Sequence, residues 1–187
     1  MIEPVFDRNC FKILGLFSLS PGSRFRREEL KEKTRLNNVT LDKALARLAN
    51  SRAIKVEKGL YGVDFESENA RKLIEIAVKQ YKELREIPFD VFLLLVDLVD
   101  ALSVVKGIEV YLFGSYAKLI YREKSDVDIA VILERTPKGV DLNGLAQKLE
   151  KAYGKHVQVH DFEKGTFYEN RNDPLIKDIL RNGIKLL

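Results

Sequence analysis

Asp126 and Asp128 are the two residues of this sequence whose types and spacing best suit chemistry. They open the run Asp126-Val127-Asp128-Ile129-Ala130-Val131-Ile132, whose β-branched content predicts a strand. Residues at i and i+2 of a strand share a face, about 7 Å apart along the chain. Two carboxylates placed so attract a hard divalent cation, most naturally Mg²⁺ carried in by a nucleotide. Upstream, Ile108, Val110 and Leu112 alternate with Glu109 and Tyr111, the pattern of a half-buried strand that ends at Gly114-Ser115. Glycine lets the backbone turn sharply and lets a bulky ligand come close. Ser115 then enters a short predicted helix, whose free N–H groups favour a phosphate.

Gly-Ser, a ten-residue interval and Asp-x-Asp, with an apolar strand on each side, resemble the nucleotidyltransferase core of the DNA polymerase β superfamily. The variant is similar to the small, minimal nucleotidyltransferases of archaea and bacteria. The resemblance implies transfer of a nucleotidyl group, expected to be AMP, from an NTP to a hydroxyl, with two Mg²⁺ ions. Asp126 and Asp128 would hold the metals. In that superfamily a third acidic residue on a neighbouring strand completes the site, and Asp161 is the expected match. It would hold the metal beside the attacking hydroxyl and accept its proton. Gly114 and Ser115 would bind the β- and γ-phosphates, and Lys118 and Arg122 would offset triphosphate charge. One departure stands out: minimal members read Ala-Arg-Gly after the Gly-Ser-x, whereas this chain has Ala117-Lys118-Leu119. Lysine keeps the charge but loses the bidentate fork of arginine, and Leu119 removes a permissive glycine.

Positioning these groups requires a third strand. His156 to Phe162 alternates, with Asp161 on the face of Val157 and Val159 and with His156 and His160 on the other. No cysteine or third histidine lies near those two, so both read as ordinary strand histidines rather than zinc ligands. The polar turn 134–139 and a helix from Leu142 to Tyr153, stopped by Gly154, connect the second and third strands. Asp173-Pro174 caps a last helix that Gly183 ends, and Ile184 to Leu187 trails off.

The front of the chain is organised differently. Helices are predicted over 8–19, 26–34 and 39–50, with Asn38 as the cap of the third, followed by two short strands around Glu57-Lys58-Gly59. Three helices and a hairpin resemble a winged helix-turn-helix, which implies a third helix in the major groove and a wing on phosphate. The residues expected at DNA are Asn37, Thr40, Lys43 and Arg47 on the helix and Lys55 and Lys58 at the wing, with Arg24, Arg26 and Arg27 along the backbone. The charge agrees: residues 1–66 hold 13 Lys/Arg against 9 Asp/Glu, while the remainder is balanced at 19 each.

The fold class expected is thus α+β, in three parts: a winged helix-turn-helix over 1–66, a helical connector over 67–106 and, over 107–187, a nucleotidyltransferase fold with a small mixed sheet flanked by helices. The connector comprises an amphipathic helix over 67–87 and a more apolar one over 89–105, expected to pack between domains or against a second subunit as a homodimer. The apolar run over 91–105 is broken by Asp97 and Asp100, which excludes a membrane span there. One cysteine in 187 residues excludes an intramolecular disulfide and a thiolate metal site, and fits a reducing cytoplasm. Abundant Lys and Glu, one Met and no Trp hint at a thermophile.

The expected function is therefore a Mg²⁺-dependent nucleotidyltransferase using an NTP, with ATP as the expected donor, and a front module that binds duplex DNA or docks a protein. Small relatives of this kind act as antitoxins that adenylylate a HEPN-type toxin, and the resemblance extends that role here. The alternative is a DNA-binding transcriptional regulator whose nucleotidyltransferase fold senses nucleotide without catalysis; a structural adaptor is the third.

Overall fold

The computed structural model describes residues 7–82, 84, 87–134 and 140–187. The polar turn expected over 134–139 and the end of the helix expected over 67–87 lie largely outside the described residues. The chain divides into two compact units, 1–85 and 86–187. The division falls inside the stretch read from sequence as a connector.

The first unit holds α1 (Arg8–Leu19), α2 (Arg27–Thr34), α3 (Asn38–Asn50), the hairpin β1 (Ile54–Glu57) and β2 (Leu60–Val63), and α4 (Glu68–Lys82). Each start has a chemical cause. Asp7 caps α1 by accepting from the N–H groups of Asn9 and Cys10 at 2.8 and 3.1 Å. Asn37, rather than Asn38, caps α3 through the Thr40 N–H at 3.0 Å, so Asn38 is the first helical residue. The hairpin turns on Lys58 and Gly59, both at positive φ (51° and 76°), as a tight two-residue loop requires. An isolated antiparallel bridge from Phe25 to Tyr61 extends this small sheet on the other side of β2. Ile13, Phe17, Leu30, Leu41, Leu48 and Ile54 are buried beneath it, and α4 covers α1.

The second unit is built on a four-stranded sheet. Its elements are α5 (Phe89–Leu102), β3 (Glu109–Phe113), α6 (Gly114–Ala117), β4 (Val127–Leu133), α7 (Leu142–Tyr153), β5 (Val157–Glu163), α8 (Lys164–Glu169), α9 (Pro174–Asn182) and β6 (Ile184–Lys185). The strand order is β5-β4-β3-β6. The pair β3–β4 is antiparallel, β4–β5 is parallel with α7 as its crossover, and β6 returns antiparallel to β3. The last residues therefore pair into the sheet instead of trailing off. One face of the sheet carries Phe113, Ala130 and Ile132, packed on Phe167 of α8 and on Ile176 and Ile179 of α9. The other face carries Val110, Leu112, Val127, Ile129 and Val131, all fully buried.

The helix α5 packs on α7 and buries Val91, Phe92, Leu93, Leu94, Leu95, Leu98 and Leu102. That apolar surface, expected to pack between domains or against a second subunit, meets α7 within the second unit. Among the described residues no helix is long and apolar enough to cross a membrane.

Candidate functional site

The turn between β3 and α6 fixes the site. Gly114 sits at φ +70°, in the left-handed region that favours glycine. A Cβ added there would overlap the Asp128 carboxylate, with Cγ only 2.9 Å away. Phe113 pairs with Asp128 across β3 and β4, which draws the turn onto this carboxylate. Glycine is needed at 114 both for the backbone angle and for the space that Asp128 fills. Ser115 and the buried Tyr116 follow in α6; the Tyr116 ring stacks on Tyr121 at 4.6 Å and anchors the short helix.

Asp128 stands on the same face as Phe113 and Ala130, and Asp126 lies just before β4, near enough for its charge to act on Asp128. Burial raises the Asp128 carboxyl above its ordinary range, and the nearby Asp126 charge adds to that rise; His160, His156 and Lys118 pull the other way. Two carboxylates that resist being charged together gain from a cation between them.

Lys118 lies at the end of α6 and forms an ion pair of 2.7 Å with Asp178 of α9. It is near enough to act on Asp128 but is held from its other side. The backbone N–H of Arg122 donates to Ser125 Oγ at 2.8 Å, closing the loop that leads into β4. Leu119, where relatives of this kind carry glycine, takes a left-handed φ of 57°. The loop holds a conformation that glycine favours, with leucine in the position.

The expectation for Asp161 requires correction. The unbroken parallel register sets Asp128 beside Gln158, Ala130 beside His160 and Val131 beside Asp161. Partners in register project from the same face. Asp161 therefore leaves the sheet on the side opposite Asp128, and about 10 Å further along by the strand rise. Gln158 and His160 are the residues that share the face of Asp128. The histidines are not bystanders: the His160 ring meets Phe113 edge-on at 5.4 Å, and His156 lies 3.3 Å from Asp126 Oδ1 and 3.4 Å from Glu150 Oε1. Glu150 also accepts the Val157 N–H at 3.0 Å, which ties α7 to the start of β5.

This donor set fits one hard cation. Asp126 and Asp128 supply anionic oxygens near one another, Asp128 beside a turn with no Cβ in the way. It does not fit a second, because the third carboxylate is on the wrong side. Among the described residues no group of three or more His, Cys, Asp or Glu side chains is arranged to hold a metal ion.

The residues expected at DNA are distributed over the first unit. Asn37 and Thr40 form the start of α3. Arg47 pairs with Asp7 at 2.5 Å, Lys55 and Arg24 with Glu57 at 2.9 and 2.7 Å, and Arg27 with Asp42 at 2.8 Å. Arg26 caps α2, its N–H donating to Glu29 Oε2 at 2.6 Å. Lys43 and Lys58 are exposed. Cys10 is buried, and burial pushes its thiol up to about 12, which makes it unreactive.

Residues 94–186 match the family model described as the nucleotidyltransferase domain. That match supports placing the second unit in the nucleotidyltransferase superfamily, and the mixed sheet with its flanking helices fits such a fold. Two solved structures are similar to part of the chain. One is a toxin–antitoxin with AMP-PNP, at 27% identity and a TM-score of 0.39, covering 49% of this chain and 70% of that one. The other is a mutant of the toxin–antitoxin MntA-HpeT, at 27% identity and a TM-score of 0.36, covering 48% and 68%. The search of curated proteins finds no match.

Proposed function

We propose that this protein transfers a nucleotidyl group from an NTP, with ATP as the expected donor, to a hydroxyl acceptor in a Mg²⁺-dependent reaction. The observation that carries the reading is the packing of the Gly114 turn against Asp128, with the Asp126 charge close by, inside the segment that matches the nucleotidyltransferase domain. The acceptor oxygen attacks the α-phosphorus and a new P–O bond forms. The bond from that phosphorus to the bridging oxygen of the β-phosphate breaks, pyrophosphate leaves with the electron pair, and the hydroxyl proton passes to solvent.

Asp126 and Asp128 would hold the cation, which when bound neutralises charge on the triphosphate. Gly114 and Ser115 would present backbone N–H groups and a hydroxyl to the phosphates. Lys118 adds positive charge at their edge, where its ion pair with Asp178 ties it toward α9. Arg122 is proposed as a further phosphate contact from the loop before β4. An antitoxin role, with a hydroxyl of a HEPN-type toxin as acceptor, is proposed on the sequence resemblance alone. For the first unit, the three helices and hairpin support a winged-helix reading with Lys43 and Lys58 toward DNA; the paired state of Arg47, Lys55, Arg24 and Arg27 supports docking of a protein instead.

A second reading has its own support. Gln158 beside Asp128 and Leu119 in the phosphate turn are the changes expected of a fold that senses nucleotide in a DNA-binding regulator and has lost catalysis. Incubation with Mg²⁺ and ATP labelled at the α-phosphate, with candidate acceptors, separates the two. Labelled acceptor from the wild type and none from Asp128→Asn is the expected result. Nucleotide binding without transfer would establish the sensing role, and transfer that survives Asp128→Asn would remove this site from the reaction.

A further inference from the structure

We infer that the site takes up a single divalent cation with its nucleotide, because the strand position facing Asp128 carries the neutral Gln158 and the nearest carboxylate on that strand, Asp161, faces away. This rests on the nucleotidyltransferase reading above and concerns the number of ions that the site can hold.

Two ions bridging one reaction centre sit about 4 Å apart, and each repels the other. Such a pair is held when a third anionic ligand lies beside the shared carboxylates. Adjacent strands lie about 4.8 Å apart, so the residue paired in register with Asp128 is the one within reach of a cation there. That residue is Gln158, whose carboxamide offers a neutral oxygen and no charge. Two positions along the same face is His160, a nitrogen donor that suits Mg²⁺ poorly. The rest of the surroundings oppose a second dication as well. His156 Nδ1 already sits 3.3 Å from Asp126 Oδ1.

Asp161 does not substitute, because the register holds without a bulge over seven consecutive pairs from Val127–Val157 to Leu133–Glu163. Bringing it round would turn the buried Val157 and the half-buried Val159 outward. Among the described residues the site thus has ligands for an ion that arrives with the triphosphate and none placed for an ion at the acceptor hydroxyl. The acceptor oxygen must then be activated without a metal of its own.

Mn²⁺ can be counted by electron paramagnetic resonance on the full chain saturated with a non-hydrolysable ATP analogue, while equilibrium dialysis measures bound nucleotide in the same samples. The expected count is about one nucleotide-dependent Mn²⁺ per bound nucleotide. Asp161→Asn should leave both numbers unchanged, and Gln158→Asp should raise the ion count toward two. Two ions per nucleotide in the wild type would overturn the inference while leaving the functional reading intact. A Gln158→Asp chain that binds nucleotide with one ion would overturn the assignment of Gln158 as the position that excludes the second. A chain that binds no nucleotide would overturn the functional reading, and the inference with it.

Discussion

Gly114 and Asp128 occupy each other's space: the carboxylate fills the volume that any larger residue at 114 would need. Gly114→Ala would place a side chain at a backbone angle of +70° and push the carboxylate out of its position. The angle costs about 1–2 kcal/mol, and displacement of Asp128 removes the cation site. The expected outcome is a modest loss of stability in urea denaturation together with loss of nucleotide-dependent Mn²⁺ binding. Retained ion binding would mean that Asp128 does not hold the cation.

Leu119 stores strain of a similar kind, since it holds φ 57° with 47% of its surface exposed. Leu119→Gly relieves the angle but gives up half-buried apolar contact, so stability should change by less than about 1 kcal/mol. Leu119→Val keeps an apolar side chain but adds a β-branch at positive φ, and should be less stable than Leu119→Gly by about 1–2 kcal/mol. Thermal melts of the two variants side by side check the ordering.

Glu109 ties the far end of the sheet together. Its carboxylate accepts from Tyr168 at 3.0 Å and Tyr111 at 3.2 Å, and pairs with Lys185 at 2.8 Å and Lys164 at 3.1 Å, with 14% of its side chain exposed. The Lys185 ammonium first, then Lys164 and Tyr168, pull its carboxyl down to about 2 against the cost of burial. A depressed carboxyl stabilises the fold only when ionised. Its contribution is therefore complete above its unfolded value near 4.5 and is lost as pH falls toward about 2. Glu109→Gln should cost on the order of 3 kcal/mol at pH 7 and should flatten the acid limb between those two values. Denaturation midpoints at pH 7 and pH 3 measure both effects; equal losses at the two would refute the assignment.

For the first unit, Lys43 and Lys58 are the cations whose removal should matter to duplex DNA. Lys43→Ala and Lys58→Ala should each reduce the salt slope of binding by about one. Arg47→Ala acts elsewhere: it breaks the pair with the residue that caps α1 and should lower stability by about 0.5–1 kcal/mol. Titrations of a mixed-sequence duplex at several salt concentrations, beside a melt, distinguish the two effects. Absence of any DNA binding would favour a protein partner.

Helix positions and turns were legible because they depend on neighbours in sequence. Asp7, Asp141 and Asp173 each accept from N–H groups two or three residues ahead, and Gly154 ends α7 at φ 66°, all local events. The Gly114-to-Asp128 core was legible for a similar reason, since fixed spacing and a strand on each side determine it. What failed was the relation between two strands joined by a crossover. Asp161 looked eligible because acidic residues near strand ends resemble ligands. Yet Val157, which is buried, and Val159, which is half-buried, share the face of Val127 and Ile129, and that parity already excluded it. The signal was present in the alternation of β5, and it pointed to Gln158 and His160. The strand β6 and helix α8 were missed because each is too short to show a period: two and six residues.

The rigid pairing of β4 with β5 also constrains how such a protein can change over generations. Losing or gaining one residue in the loop before Val157 would turn Asp161 toward the side of Asp128, but the same slip would turn Val157 out of its buried position. Descendants of this chain can recover a third acid through a single codon at 158 far more readily than through an insertion or deletion, and relatives should differ there by substitution while their loop length stays constant.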